Sequence, residues 1–318
     1  MSGREEPPRE VAPGVVLVDT GYVRPGLAAC WLLSGRSTAA VVETGTALSV
    51  PRILAALAGR GIARQDVGFV IVTHVHLDHA GGAGALLAEL PAARLVAHPR
   101  GARHLVDPAR LLAGAAPLYG GPEGLRRLYG EVVPVPAERV VEASDGLALD
   151  LGDRPLLFLD APGHARHHFV VLDRATRGFF TGDAFGLSYR SLDGPGGPFF
   201  FPTTTPVQLD PPAFHATVDR MLAERPERMY LTHYGMVEGD PGPWAAALHR
   251  AIDGHVRAAE AAPAGAGRGE ALRRALRDQL LGELDAQGWQ GDRAAALDAF
   301  AADLELNARG LEVWLDSR

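Results

Sequence analysis

Lysine is missing from all 318 residues, so every basic side chain is an arginine. Schiff-base lysines, Walker-type phosphate loops and Ser-x-x-Lys acyl enzymes are therefore excluded. Cysteine occurs once, at Cys30. That rules out an internal disulfide and fits a reducing compartment, with the cytoplasm as the expected location. No run of about 18 apolar residues occurs, so no transmembrane helix is expected. The opening stretch MSGREEPPRE is polar and has no apolar core behind it, unlike a secretory signal. Clustered basic residues are missing as well, and the formal net charge is −7. Both argue against nucleic acid as the main partner, because phosphate binding draws on concentrated positive charge. The expected partner is a small molecule.

Residues 1–13 are polar and proline-rich and read as a flexible N-terminal arm. Three strand-like runs follow at Val15–Asp19, Ala29–Leu33 and Ala39–Val42, divided by glycine-containing turns. Leu48–Ala58 has helical spacing with Pro51 in its first turn, and Phe69–Thr73 is a short apolar strand. A helix is predicted over Ala83–Leu90 and a strand over Arg94–Ala97, then a helical stretch over 100–130 broken by Pro108, Pro117 and Pro122. Strands return at Arg139–Val141, Leu156–Leu159, Phe169–Leu172 and Gly178–Phe180. Residues 184–207 lack periodicity and read as a long loop, of the length that is usually functional or disordered. A helix over Pro212–Glu224 and a strand over Arg228–Thr232 precede an Ala-, Arg- and Leu-rich helical tail, interrupted at 261–269. This alternation gives an α/β layered architecture without choosing among layered folds.

The chemistry concentrates in THVHLDHAGG, Thr73–Gly82, directly after an apolar strand. His74, His76, Asp78 and His79 crowd one tight loop, and imidazole with carboxylate suits zinc-like ions. Three more short strands end in a candidate ligand. Leu156–Leu159 runs into His164 through DAPGH, Phe179–Phe180 into Asp183 through TGD, and Met229–Leu231 into His233 through THYG. Each is weak alone, since a buried histidine is usually a packed, hydrogen-bonded residue. Strand ends are nevertheless where a rigid scaffold best fixes ligand geometry.

HVHLDH, APGH, TGD and LTHYG, in this order and at these intervals, resemble the metallo-β-lactamase superfamily from about Val15 to Gly239. The resemblance implies an αββα sandwich of two mixed sheets over residues 14–240, with a helical C-terminal extension over 241–318. It puts His74, His76 and His164 on one divalent ion and Asp78, His79 and His233 on a second. Asp183 bridges both. Zinc is expected, with manganese or iron as alternatives. Two ions about 3.5–4 Å apart clamp an attacking hydroxide and the developing oxyanion, with Asp78 and Asp183 as the catalytic carboxylates. The implied reaction is hydrolysis of a small ester, thioester or lactone. A mononuclear iron persulfide dioxygenase of the same fold and a non-catalytic binding relative are the alternatives.

Residues outside the ligand set narrow the branch. Asp183 stands where dedicated β-lactamases of this fold carry cysteine or lack an acid, and glyoxalase II pockets normally use a lysine that this chain does not have. PGHARHH resembles a glyoxalase II-like and lactonase-like prokaryotic branch. His167 and His168 either orient their loop or face substrate. Tyr189 either bonds a substrate carbonyl or packs on Phe185 or Phe199. Arg190 either recognises a carboxylate or is a solvated loop charge. Phe199, Phe200 and Phe201 either line a channel or pack a core, and Tyr234 is a further pocket candidate. Glu43, in VETG, replaces the family's usual aspartate, which raises the question of what supports the histidines. The C-terminal helices are open to two uses, as a cap or as a homodimer interface.

Overall fold

A computed structural model describes residues 7–318. β1 (Arg9–Ala12), β2 (Val15–Asp19), β3 (Ala29–Ser34), β4 (Ala39–Val42), β5 (Val67–Ile71), β6 (Arg94–Ala97) and β7 (Val140–Glu142) form one sheet in that order. It is antiparallel from β1 to β4 and parallel from β4 to β7. β8 (Ala148–Asp150), β9 (Pro155–Asp160), β10 (Phe169–Asp173), β11 (Gly178–Gly182), β12 (Arg228–Leu231) and β13 (Gly235–Glu238) form the second, in the order β13-β12-β11-β10-β9-β8. Its β8-to-β11 pairings are antiparallel, and β11 runs parallel to β12. The helices are α1 (Val50–Gly59), α2 (Leu77–Ala80), α3 (Ala83–Glu89), α4 (Pro99–Val106), α5 (Ala109–Ala115), α6 (Pro122–Tyr129), α7 (Pro211–Ala223), α8 (Pro241–Ala261), α9 (Arg268–Ala286), α10 (Arg293–Ala299) and α11 (Ala301–Asp316). Two mixed sheets with helices and a helical C-terminal region match the expected fold class.

The chain divides into two compact units. One comprises residues 7–160 with His167–Gly182 and Arg228–Met236; the other comprises Ala161–Arg166, Asp183–Glu227 and Val237–Arg318. The C-terminal helices start at Pro241.

In the first unit, the alternation of β2 sends Val16 and Val18 into a core shared with Ile53, Leu57, Leu86 and Leu87 of α1 and α3. Full burial of such a side chain contributes about 1.5–3 kcal/mol. Where the sheets meet, Trp31 of β3 lies edge-on to Phe180 and Tyr230, with ring centroids 5.8 and 5.2 Å away. The second unit has its own core. Leu272, Leu276, Leu280 and Leu284 recur every fourth residue of α9 and are all buried, where α9 packs on α8 and α11. That leucine stripe is therefore occupied within one chain.

Several expectations need correction. Residues 1–6 of the expected arm lie outside the described residues, but Arg9–Ala12 pairs with β2, so the arm does not reach residue 13. β8 and β13 escaped the sequence reading because they are three and four residues long with little apolar alternation. β5 ends at Ile71 rather than Thr73, because the chain crosses there from one sheet to the other. The Val72 amide still donates to Val96 of β6, whereas the next carbonyl, Thr73 O, accepts from Phe169 of β10.

A candidate metal centre

In the first unit, His76 caps α2, a single turn that carries Asp78 and His79. Ala80 N donates to His76 O at 2.8 Å, and His79 O accepts from both the amide and the hydroxyl of Thr44 at 2.8 Å. The VETG loop thus seats the histidine motif. His79 Nε2 lies 3.3 Å from His233 Nε2, and Asp78 Oδ2 lies 3.8 and 3.4 Å from those two atoms. His74 Nε2 lies 2.9 Å from His76 Nδ1.

The ring protons explain these approaches. His79 Nδ1 donates to Glu43 Oε1 at 3.0 Å, and His233 Nδ1 donates to Leu27 O at 2.8 Å. Thr73 gives its hydroxyl proton to Glu43 Oε1 at 2.5 Å and so accepts from His74 Nδ1 at 3.1 Å. With Nδ1 carrying the proton, the neutral rings of His74, His79 and His233 present Nε2 as an acceptor or ligand atom. The Nε2 atoms of His79 and His233 and a carboxylate oxygen of Asp78 lie within 4.8 Å of one another, a spacing that suits a shared cation. The residues present fit divalent metal ions of the zinc class.

Glu43 answers the question raised by VETG. It is 1% exposed, has φ +63°, and also accepts from Thr232 Oγ1 at 3.3 Å. Sequence reasoning missed this role for Thr73 and Thr232, although a signal was there. The dipeptide Thr-His follows closely on both β5 and β12, at 73–74 and at 232–233. Burial, with the Glu43 charge beside it, pushes the Cys30 thiol well above its usual range.

His168 is 1% exposed and stacks on His74 with ring centroids 4.7 Å apart, which favours the orienting role over the substrate-facing one. Gly182 makes that packing feasible. It has φ +49°, and a Cβ there would stand 2.3 Å from Thr73 Oγ1 and 2.6 Å from His168 Nε2. His167 lies edge-on to His76 at 5.8 Å. Tyr234 is nearly buried, with its ring alongside Gly26.

The second unit holds the other two candidates. Asp183 follows directly on the last residue of β11, and His164 comes four residues after the end of β9. His164 Nε2 lies 3.3 Å from Asp183 Oδ2, and its Nδ1 donates to Thr203 O at 3.1 Å. The hinge of this turn is Gly163, at φ +133°, where a Cβ would run into the Phe214 backbone.

Thr203 is itself positioned from α11. Asn307, the chain's only asparagine, is fully buried. It donates to Pro202 O at 2.9 Å and accepts from Thr204 N at 2.7 Å, gripping both neighbours of Thr203. Its second amide proton goes to His255 Nε2 at 3.3 Å, while His255 Nδ1 donates to Ala251 O. Burial holds the pKa of His255 down to about 4, so this ring is neutral.

The remaining loop candidates are turned inward. Tyr189 donates to Asp303 Oδ2 at 3.1 Å and packs on Phe300. Arg190 is bonded to Ser188 and pairs with Asp193 at 3.3 Å, rather than standing as a solvated charge. Phe199, Phe200 and Phe201 are all buried, with Phe200 stacked on Trp244 and Phe201 against His255. These residues form core.

Fold and donor set together define a class of α/β proteins built to hold metal ions. The sequence profile of the metallo-beta-lactamase superfamily matches residues 23–233, and the chain belongs to that superfamily. It is 24% identical over 222 residues to the metallo-beta-lactamase fold-containing protein ST1585 of Sulfurisphaera tokodaii, covering 67% of this chain and 75% of that protein. The crystal structure of ST1585 superposes with a TM-score of 0.64 at 21% identity, covering 94% of this chain and 98% of that one. The bovine (Bos taurus) acyl-coenzyme A thioesterase MBLAC2 is 27% identical over 188 residues, 55% of this chain and 64% of that protein. A hydroxyacylglutathione hydrolase of Cupriavidus taiwanensis is 31% identical over 161 residues, 50% of this chain and 49% of that protein. The chain thus matches about half to two thirds of the length of these two enzymes.

Proposed function

We propose that this protein hydrolyses a small ester, thioester or lactone at a centre of two divalent ions, zinc first and manganese or iron as alternatives. In this reading His74, His76 and His164 hold one ion, Asp78, His79 and His233 the other, and Asp183 serves both. The observation that carries it is the gathering of His79 Nε2, His233 Nε2 and a carboxylate oxygen of Asp78 within 4.8 Å of one another, with each ring's Nδ1 turned to an acceptor of its own. Divalent ions held there would supply Lewis acidity toward a carbonyl oxygen and would acidify a water molecule to near neutrality.

The chain's own groups do the rest. Asp78, with 22% of its side chain exposed, takes the proton of the incoming water and returns it to the leaving group. Glu43 keeps the histidines in their ligating tautomers. The thioesterase and hydroxyacylglutathione hydrolase relatives support an acyl substrate. The absence of lysine and the net charge of −7 argue against polyanionic substrates. A single, buried cysteine supports a cytoplasmic setting, and among the described residues no helix is long and apolar enough to cross a membrane. A homodimer through the C-terminal helices would use faces other than the leucine stripe of α9.

A panel of acyl esters, thioesters, lactones, β-lactams and phosphodiesters, run with zinc- and manganese-loaded protein, tests the reading. Turnover is expected on the first three classes and weak or none on the others. Phosphodiester turnover exceeding every acyl substrate overturns it. One tightly held iron with persulfide oxidation marks the dioxygenase instead.

A further inference from the structure

Away from the proposed centre, α7 and α8 each present a histidine and, four residues later, an aspartate: His215 and Asp219, His249 and Asp253. The pairs cross. His215 Nε2 lies 3.1 Å from Asp253 Oδ1, and His249 Nε2 lies 3.1 Å from Asp219 Oδ1. Between them the two Nδ1 atoms face each other at 2.6 Å, the rings stacked at 20° with centroids 4.9 Å apart.

Counting protons shows what this arrangement lacks. Each contact with a carboxylate oxygen requires an N–H on Nε2, because the carboxylate can only accept. Two neutral imidazoles have then spent both ring protons, and two bare Nδ1 lone pairs point at each other closer than an ordinary hydrogen bond. Moving a proton to one Nδ1 leaves an imidazole lone pair against a carboxylate instead. One positive charge is therefore missing between the rings. Histidines whose outer N–H groups are donated to carboxylates, with the inner nitrogens bare and converging, are the arrangement typical of metal-ligating imidazole.

We propose that His215 and His249 form a second metal site, taking one zinc-class ion through their Nδ1 atoms, with Asp253 and Asp219 orienting the rings. With Zn–N bonds of about 2.0–2.1 Å and tetrahedral angles, two ligand nitrogens stand about 3.3 Å apart, so binding opens the pair by less than an ångström. The imidazoles retain 28% and 25% of their side-chain exposure, which leaves room for water to complete the coordination. The ion ties α7 to α8 across the surface of the second unit.

The test is a count on the full-length protein, saturated with Zn2+ alone and freed of excess. His215→Gln and His249→Gln are expected to hold one ion fewer per chain than wild type while keeping its acyl-ester turnover. With Cu2+, the nitrogen couplings of this site should vanish from the electron paramagnetic resonance spectrum of either variant. Equal ion counts in wild type and both variants overturn the proposal, including the case in which the pair holds only a shared proton. Should the glutamine variants not fold, Asp219→Asn and Asp253→Asn leave both ligands in place. They are expected to weaken the extra ion about 10–100-fold, and unchanged affinity overturns the proposal. Because the readout is a difference, it stands apart from the seven-donor reading, whose failure would lower the counts of all these proteins alike.

Discussion

The two units support their candidate ligands by different means. In the first, one buried carboxylate, Glu43, takes protons from His79, Thr73 and Thr232 at once, and everything it touches belongs to strand ends and short turns. In the second, His164 leans on a backbone carbonyl, Thr203 O, and the loop that offers it is gripped by Asn307 from a helix more than a hundred residues further on. The first support is charged and local; the second is neutral and long-range. A charged support should fail sharply when its charge is removed. A neutral one should fail in proportion to the hydrogen bonds lost.

Glu43→Gln is the change expected to break the comparison most strongly. It keeps the volume but brings an amide that cannot accept three protons in the same way. Metal affinity is expected to fall about 10–100-fold, as for other supports of ligating histidines. A chelator titration read against wild type measures this. Wild-type affinity would show that Glu43 only fills space.

Asn307→Leu probes the other unit. It leaves Pro202 O and Thr204 N buried without their partner, at about 1–3 kcal/mol for each group. We expect lower thermal stability together with a changed cobalt absorption spectrum, since His164 loses its fixed carbonyl. A destabilised protein with an unaltered spectrum would confine Asn307 to packing.

The neutral support should also be the acid-sensitive one. His255 accepts from Asn307 only while deprotonated, and its pKa is held near 4 in the folded chain against 6.5 ordinarily. Between those values the unfolded chain takes up a proton that the folded chain refuses, so stability is lost as pH falls from about 6.5 to about 4. The loss is roughly 3 kcal/mol. His255→Gln keeps an acceptor and does not titrate, so its denaturation midpoint should fall less over that range. Parallel profiles for the two proteins would remove His255 as the cause.

The smallest effect is expected from Tyr189→Phe. Its hydroxyl serves Asp303, so the loss is about 1 kcal/mol of stability with acyl turnover unchanged. A large fall in turnover would return Tyr189 to the substrate.

The same contrast explains what could be read from the sequence. The first unit's donors sit in one continuous motif after an apolar strand and in a Thr-His pair, so local spacing carried them. His164 and Asp183 were legible as strand-end residues too. Their support was not. Nothing local to Asn307 announces that it serves a loop at 202–204, and only its being the chain's lone asparagine marked it. Tyr189, Arg190 and the three phenylalanines were open to either reading for a similar reason. Composition cannot say whether a loop's aromatics face a pocket or a core, and the rings they meet here, Trp244 and Phe300, lie far along the chain. β8 and β13 were lost to their shortness.

His74, His76, Asp78, His79, His164, Asp183 and His233 are proposed to hold two ions. Elemental analysis of fully loaded, active His215→Gln protein, which lacks the proposed surface site, tests this directly. The expected count is about two ions per chain, falling in Asp183→Ala with loss of acyl turnover. A count of one in fully active protein, unchanged by Asp183→Ala, would contradict it.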